Sequence, residues 1–280
     1  MHPLEALLLG VVQGLTEFLP ISSSGHLILV PWLGGIEYLN EHPDFNKTFD
    51  VALHLGTLLG VVFYFRRELL DLIAGTVSAL RHRRVETNRE RLAAMIAIAS
   101  VPAAVVGALL EDPIDEHLGD PWQIAILLAV FALLLGYADR RPERRGIEGV
   151  GPRSAVAIGM AQAVSLAPGV SRSGVTITAG RLLGLDRDSA ARFSFLLLVP
   201  VTFGALLVKA VGVVQDGLPP GVVDSLVIGI VASAVTGYAA IAWMLAYVRG
   251  RSYDVFVVYR LVAAAVVGLI ILTGVRDATF

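Results

Sequence analysis

The 280-residue chain contains no cysteine, which excludes disulfides and thiolate-bound metals. It is also poor in charge, at 16% of residues, against about 25% in an ordinary soluble domain. What charge there is nearly cancels: 22 Lys and Arg face 24 Asp and Glu, a formal net of −2. A nucleic-acid partner is therefore not expected, since its electrostatic footprint is missing. The first apolar run has no cationic leader, because Glu5 stands where that charge belongs, and it is expected to remain in the chain rather than act as a cleaved signal. In place of charge there is apolar length. Hydrophobic residues make up 55% of the chain, in windows such as Ala93–Leu110, Trp122–Ala138, Phe193–Val214, Val222–Val248 and Val255–Gly274. A span needs roughly 20 such residues. The partner this implies is a lipid bilayer, and the chain reads as an all-α polytopic protein of the cell membrane.

The charges that remain give a topology. Arg66/Arg67, the Arg81–Arg91 stretch, Arg140–Arg145, Arg181–Arg192 and Arg249–Arg251 are basic connections, whereas Glu37–Asp50, Glu111–Asp120 and Gln215–Asp224 are acidic or neutral. Placing the basic set on the cytoplasmic side lets six spans alternate, at about 49–66, 90–110, 121–138, 189–212, 222–248 and 253–274. Residues 68–80 then form a short helix near the cytoplasmic surface. Two apolar segments, about 3–34 and 152–184, fall outside this count and must each return to the side they entered from. Each holds a proline and a Ser/Gly cluster halfway along, the mark of a re-entrant helix–break–helix hairpin sheltered by protein or water.

The two segments resemble one another. Gln13 precedes Ser22 by nine residues and Gln162 precedes Ser171 by nine, and Ser22–Gly25 lies over Ser171–Gly174 at an offset of 149. The chain thus reads as hairpin plus three spans, twice, in inverted topology. Repeat one covers about 1–140 and repeat two about 150–280 of a single membrane domain.

In the first hairpin Gln13 and Glu17 share a helix face. Pro20 ends that helix, and Ser22, Ser23 and Ser24 open the next. There Ser23 and His26 are three apart, so hydroxyl and imidazole share a face. In the second hairpin Pro168-Gly169 breaks the helix and Ser171, Arg172, Ser173 and Gly174 reopen it, with Thr176 four residues after Arg172. Two half-helix N-termini aimed at one point form an anion site. Ser22, Ser24, Gly25, Ser171, Ser173, Gly174 and Thr176 are its candidate phosphate-binding residues. Arg172 adds a guanidinium fork suited to phosphate. Ser23 beside His26 offers a nucleophile with an acid or base, and Glu17 could orient that histidine or hold a cation.

The plain alternative is that serine, glycine and proline serve packing and kinks. It accounts poorly for Glu17 and Arg172, since a charge at the bilayer centre costs about 2.5–3.5 kcal/mol on insertion scales. His54 is a secondary candidate near the outer end of its span, as is Gln13. Arg260 is expected to snorkel to the cytoplasmic surface. Gly10/Gly14, Gly56/Gly60 and Gly180/Gly184 are expected to mark tight helix contacts, and the arginines of 81–91 and 140–145 to act as topology signals only.

These motifs, QGLTEFLPISSSGH (Gln13–His26) and PGVSRSG (Pro168–Gly174), resemble the two signatures of the undecaprenyl-diphosphate phosphatase family of the bacitracin-resistance type. Length, motif spacing and the stretch Thr48–Gly56 agree, so the resemblance covers nearly the whole chain. It implies a membrane enzyme that removes the terminal phosphate of a C55 polyprenyl diphosphate, recycling the lipid carrier for cell-wall synthesis. It implies functional roles for Glu17, Ser23, His26, Ser171, Arg172 and Thr176, and a divalent cation, Mg²⁺ or Ca²⁺, as cofactor. The family carries Glu or Gln at the place of Gln13. The neutral form here leaves Glu17 as the one evident carboxylate for a metal, which would then lean on substrate oxygens.

The competing function class is a secondary transporter, for which inverted repeats and broken helices are common architecture. A transporter needs no nucleophile beside a base, and this chain has candidates for both. Ser23 attacking with His26 as base is favoured over attack by His26 itself, because a hydroxyl at a helix N-terminus lies among the phosphate-binding amides. The site is expected to open to the outer face, where the first hairpin begins and ends. Monomer and homodimer are both left open.

Overall fold

The computed structural model describes residues 1–36, 38–216 and 222–279. Half of the expected Gln215–Asp224 connection, residues 217–221, lies outside the described residues, as does Glu37. The chain forms α1 (Pro3–Phe18), α2 (Ser23–Gly34), α3 (Tyr38–Glu41), α4 (Pro43–Tyr64), α5 (Arg66–His82), α6 (Asn88–His117), α7 (Pro121–Asp139), α8 (Pro152–Val164), α9 (Arg172–Leu182), α10 (Arg187–Asp216), α11 (Val223–Val248) and α12 (Asp254–Leu272). Among the described residues no strand forms beyond an isolated bridge between Arg145 and Leu185.

Helices α6, α7, α10, α11 and α12 are each long and apolar enough to cross a membrane. The sixth expected span, α4, meets that measure only together with α5, and the two meet at 84°. The reason is local: the first half of α4 carries Asn46, Lys47, Thr48, Asp50 and His54. It also starts earlier than the expected residue 49, at Pro43, since proline fits the first helical position. Helix α5 is the expected short surface helix. One face is tied to the bundle by Glu68–Arg192 and Asp71–Arg89 ion pairs, and Leu70, Ile73, Val77 and Leu80 form an exposed apolar stripe on another.

The two broken segments fold alike. Leu19 caps α1 in extended conformation ahead of Pro20, and α2 starts from Ser22 with φ 78° and ψ 96°. Helix α9 starts from Ser171 with φ 77° and ψ 112°. A serine rarely holds positive φ, a conformation worth about 1–3 kcal/mol of strain. In both cases the hydroxyl accepts from the amide three residues on, Gly25 N at 3.3 Å and Gly174 N at 3.0 Å.

Each hairpin packs its first helix on a span of the other half. Helix α1 lies on α11 and α8 lies on α6. A Cβ on Gly10 would come 2.8 Å from Gly229 O, and one on Gly159, 149 residues later, 2.5 Å from Ala99 O. Gly14 and Gly60 likewise approach α11 closely, at Ser233 O and Ala234 O. Gly184 departs from its expected role. It has φ +88° just past α9 and turns the chain toward α10 rather than seating a neighbouring helix.

The basic connections gather at one end of the bundle, and several do more than signal topology. Arg181, expected in a loop, is 1% exposed; it lies 3.4 Å from Asp139 Oδ1 and donates to the Leu185, Asp139 and Arg141 carbonyls. Arg145 donates to Leu183 O, Gly149 O and Ser154 Oγ. Helix ends leave carbonyls without intrahelical partners, and these guanidinium groups take them up.

Because the glycine contacts are backbone to backbone, overpacking there is expected to separate helices. Gly10→Ala and Gly159→Ala should each lower stability by about 1–3 kcal/mol, read as a depressed thermal midpoint in detergent. An unchanged midpoint for both would show that the α1–α11 and α8–α6 seams are looser than described.

Candidate active site

The hairpin breaks bring one carboxylate, one guanidinium and one partly exposed hydroxyl together. Glu17, in the last turn of α1, is 7% exposed. Its Oε1 accepts from Arg172 at 2.9 Å, and its Oε2 accepts from Ser23 Oγ at 2.6 Å and from Gln13 Nε2 at 3.2 Å. His54 Nε2 stands 3.9 Å from the same Oε2. The secondary candidates Gln13 and His54 are thus both beside Glu17. Ser23 and Arg172 occupy equivalent first positions of α2 and α9, which is why they face each other across the carboxylate.

Arg172 is steadied from behind. A second nitrogen donates to Ser194 O at 2.8 Å, and Thr176 Oγ1 bridges Arg172 O and Ser194 Oγ at 2.7 Å each. Ser194 on α10 was not among the sequence candidates; a lone serine in an apolar span gives no signal of its own.

The other serines are spent on the scaffold. Ser22 Oγ accepts from Gly25 N and, across the two hairpins, from Gly169 N at 3.1 Å. Ser173 Oγ donates to Leu19 O at 3.0 Å and pairs with Ser171 Oγ at 3.2 Å. Ser22, Ser171, Ser173, Gly174 and Thr176 are all buried, whereas Ser23 and Ser24 keep partial exposure. Gly25 is buried beside Ile124, and its amide belongs to the Ser22 cap.

His26 departs from the expected pairing. Its Nδ1 is 2.7 Å from Ser22 O and its Nε2 is 2.7 Å from Tyr259 OH. A carbonyl only accepts, so Nδ1 carries the proton and Nε2 of the neutral ring receives the tyrosine hydroxyl. Glu17 therefore does not set this tautomer, and the hydrogen bond of Ser23 goes to Glu17 instead of the imidazole. Spacing of three residues placed both side chains on one face, but the first-turn histidine folds back onto its cap carbonyl.

Arg260, expected to reach the surface, is instead 0% exposed and donates to five carbonyls, at Leu128, Pro20, Leu127, Gly169 and Val170. Three of these carbonyls, of Pro20, Gly169 and Val170, belong to the two breaks and hold it inside. A Tyr-Arg pair two turns into an apolar helix was the available signal.

The donor set does not fit a metal centre built by the protein. Among the described residues no three His, Asp or Glu side chains converge. Both oxygens of Glu17 are already engaged by Arg172, Ser23 and Gln13. What the arrangement can do is hold an anion between two helix N-termini and a guanidinium, with a hydroxyl whose proton points at a carboxylate.

The family model described as "Bacitracin resistance protein BacA" matches residues 6–266. The chain is 48% identical over 277 residues to a protein of Pelobacter propionicus named undecaprenyl-diphosphatase, covering 98% of this chain and 99% of that one. It is 45% identical over 277 residues to the undecaprenyl-diphosphatase of Trichlorobacter lovleyi, covering 98% of each. It is 46% identical over 273 residues to that of Geobacter metallireducens, covering 97% of this chain and 99% of the relative.

Ser22 is the hydroxyl shared by both hairpins. Ser22→Ala strands two buried amides and is expected to lower stability by about 1–3 kcal/mol, measured by thermal unfolding in detergent. Ser24→Ala, whose hydroxyl makes one long contact with Ser22 at 3.4 Å, is the comparison. Equal losses would show that the bridge to Gly169 contributes nothing.

Proposed function

The chain belongs to the family of bacitracin resistance protein BacA, and from that premise we propose that it hydrolyses undecaprenyl diphosphate to the monophosphate and inorganic phosphate. Such an activity recycles the lipid carrier of cell-wall synthesis and opposes bacitracin. The observation that carries the reading at residue level is the Ser23 hydroxyl held 2.6 Å from a carboxylate that also binds a guanidinium.

The mechanism follows from that geometry. The terminal phosphate enters between the α2 and α9 N-termini, and Arg172 turns from Glu17 Oε1 to its oxygens. Ser23 Oγ attacks the terminal phosphorus while its proton passes to Glu17 Oε2. The bond to the bridging oxygen breaks, and undecaprenyl phosphate leaves carrying the electron pair. Glu17 returns that proton to the departing monophosphate. Water then attacks the phosphoserine and gives a proton to Glu17, which passes it to Ser23 Oγ as the Oγ–P bond breaks and inorganic phosphate is released. Glu17 rather than His26 takes the serine proton in this scheme. His26, tied to Tyr259 and to Ser22 O, keeps the start of α2 in place.

We further propose that the site opens to the outer face. The gathering of the basic connections at the opposite end supports this orientation. Ser24→Cys in the otherwise cysteine-free chain should react with an impermeant maleimide on intact cells. Labelling only after the membrane is opened would reverse the orientation.

Purified protein should release phosphate from undecaprenyl diphosphate in detergent. No release across lipids and divalent cations would return the chain to the transporter reading. Ser23→Ala is expected to lower kcat by at least about 10³-fold, and Glu17→Gln by about 10²–10⁴-fold. Acid-quenched wild-type enzyme given labelled substrate should carry an acid-stable phosphoserine. An acid-labile adduct that persists in Ser23→Ala would make His26 the nucleophile.

A further inference from the structure

Arg260 lies in the apolar helix α12, yet its guanidinium is fully buried. Nε donates to Leu128 O at 3.1 Å and one terminal nitrogen to Pro20 O at 3.2 Å. The other terminal nitrogen lies 2.9 Å from Gly169 O, 3.1 Å from Val170 O and 3.4 Å from Leu127 O. Pro20 belongs to the first break, and Gly169 and Val170 to the second. These carbonyls stand between half-helices, where no helical ladder can take them, so one side chain ties both breaks to α7 and α12.

The fit is close. A Cβ on Gly174 would come 2.9 Å from the Arg260 nitrogen that bonds Pro20 O. Among the described residues no carboxylate forms an ion pair with Arg260, whereas Arg172 is neutralised by Glu17. Its charge is met by carbonyl dipoles alone, directly behind the two helix N-termini.

We propose that Arg260 is a positioning residue for phosphate hydrolysis, an inference resting on the function given above. It holds Pro20 and Val170 in fixed register, so that Ser23, three residues after one, and Arg172, two residues after the other, meet across Glu17. Its unneutralised charge also adds to the field that draws the diphosphate to this point. A lysine keeps the charge but presents its donors from one atom, and cannot span carbonyls on separate segments as a planar fork does.

The test is Arg260→Lys and Arg260→Gln, assayed for undecaprenyl diphosphate hydrolysis beside wild type, with rates normalised to folded protein by size-exclusion and thermal unfolding. Arg260→Lys is expected to lose about 100-fold in kcat with KM within about threefold, because charge stays while register is lost. Arg260→Gln should lose kcat and also raise KM. Wild-type kcat per folded molecule in Arg260→Lys, at whatever yield, would overturn the proposal. So would failure of both variants to accumulate as folded protein, which would assign Arg260 to folding alone. A wild-type protein that releases no phosphate would instead sink the functional reading.

Discussion

A helix broken inside a bilayer leaves backbone N–H and C=O groups where water cannot serve them, and that constraint governs the rest of this molecule. Two such breaks exist, each between half-helices of 11–16 residues. Partners for the freed groups come from across the gap. Ser22 takes the amide of Gly169, Ser173 gives to the carbonyl of Leu19, and Arg260 serves carbonyls of both breaks. Each break is therefore completed by the other, and neither hairpin can be considered alone. The positive φ of Ser22 and Ser171 is sustained by the same exchange, since the strained residue is the one whose hydroxyl caps the next helix.

On this nearly symmetric frame the chemistry is asymmetric. At the offset of 149 residues Ser22 answers to Ser171, Ser24 to Ser173, Gly25 to Gly174 and Gln13 to Gln162. The first position of each second half-helix differs, however: Ser23 in one and Arg172 in the other. Glu17 answers to Leu166, and His26 to Val175. The two halves share two alike helix starts, each capped by a positive-φ serine. The differences at Ser23/Arg172 and Glu17/Leu166 give one a hydroxyl with its carboxylate and the other a cation. Gln162 shows what the frame retains without that chemistry: it is 1% exposed, and both its amide atoms lack protein partners.

Much of this was legible in the sequence because breaks and charges are local signals. Proline followed by Ser-x-Ser-Gly marks a helix stop and start, and Glu17 or Arg172 in apolar surroundings is conspicuous whatever the fold. The α5 surface helix and the long apolar spans were readable for the same reason. What was not legible depends on which distant backbone comes near. Helix spacing puts Ser23 and His26 on one face, but cannot show that Tyr259 and the Ser22 carbonyl will claim both ring nitrogens. Arg260 sits close enough to a helix end for snorkelling to be reasonable. Only the arrival of two broken hairpins beside it turns its side chain inward. In α4 the polar first half made its start ambiguous, whereas its end, where α5 turns away by 84°, was marked by Arg66 and Arg67.

The charge balance of the site then follows from these placements. Glu17 contributes one negative charge, and Arg172 and Arg260 two positive ones, so the three together leave an excess of positive charge behind the helix N-termini. A second carboxylate at position 13 would cancel that excess and stand against Glu17, since Gln13 Nε2 already lies 3.2 Å from Glu17 Oε2. The amide keeps the hydrogen bond and omits the repulsion. It leaves its own buried Oε1 without a protein partner, a smaller cost for a neutral group than for a second buried charge. In the proposed mechanism, attraction of a diphosphate rests on the excess of guanidinium over carboxylate and on the two helix dipoles, with Glu17 released for the Ser23 hydroxyl as Arg172 turns to phosphate.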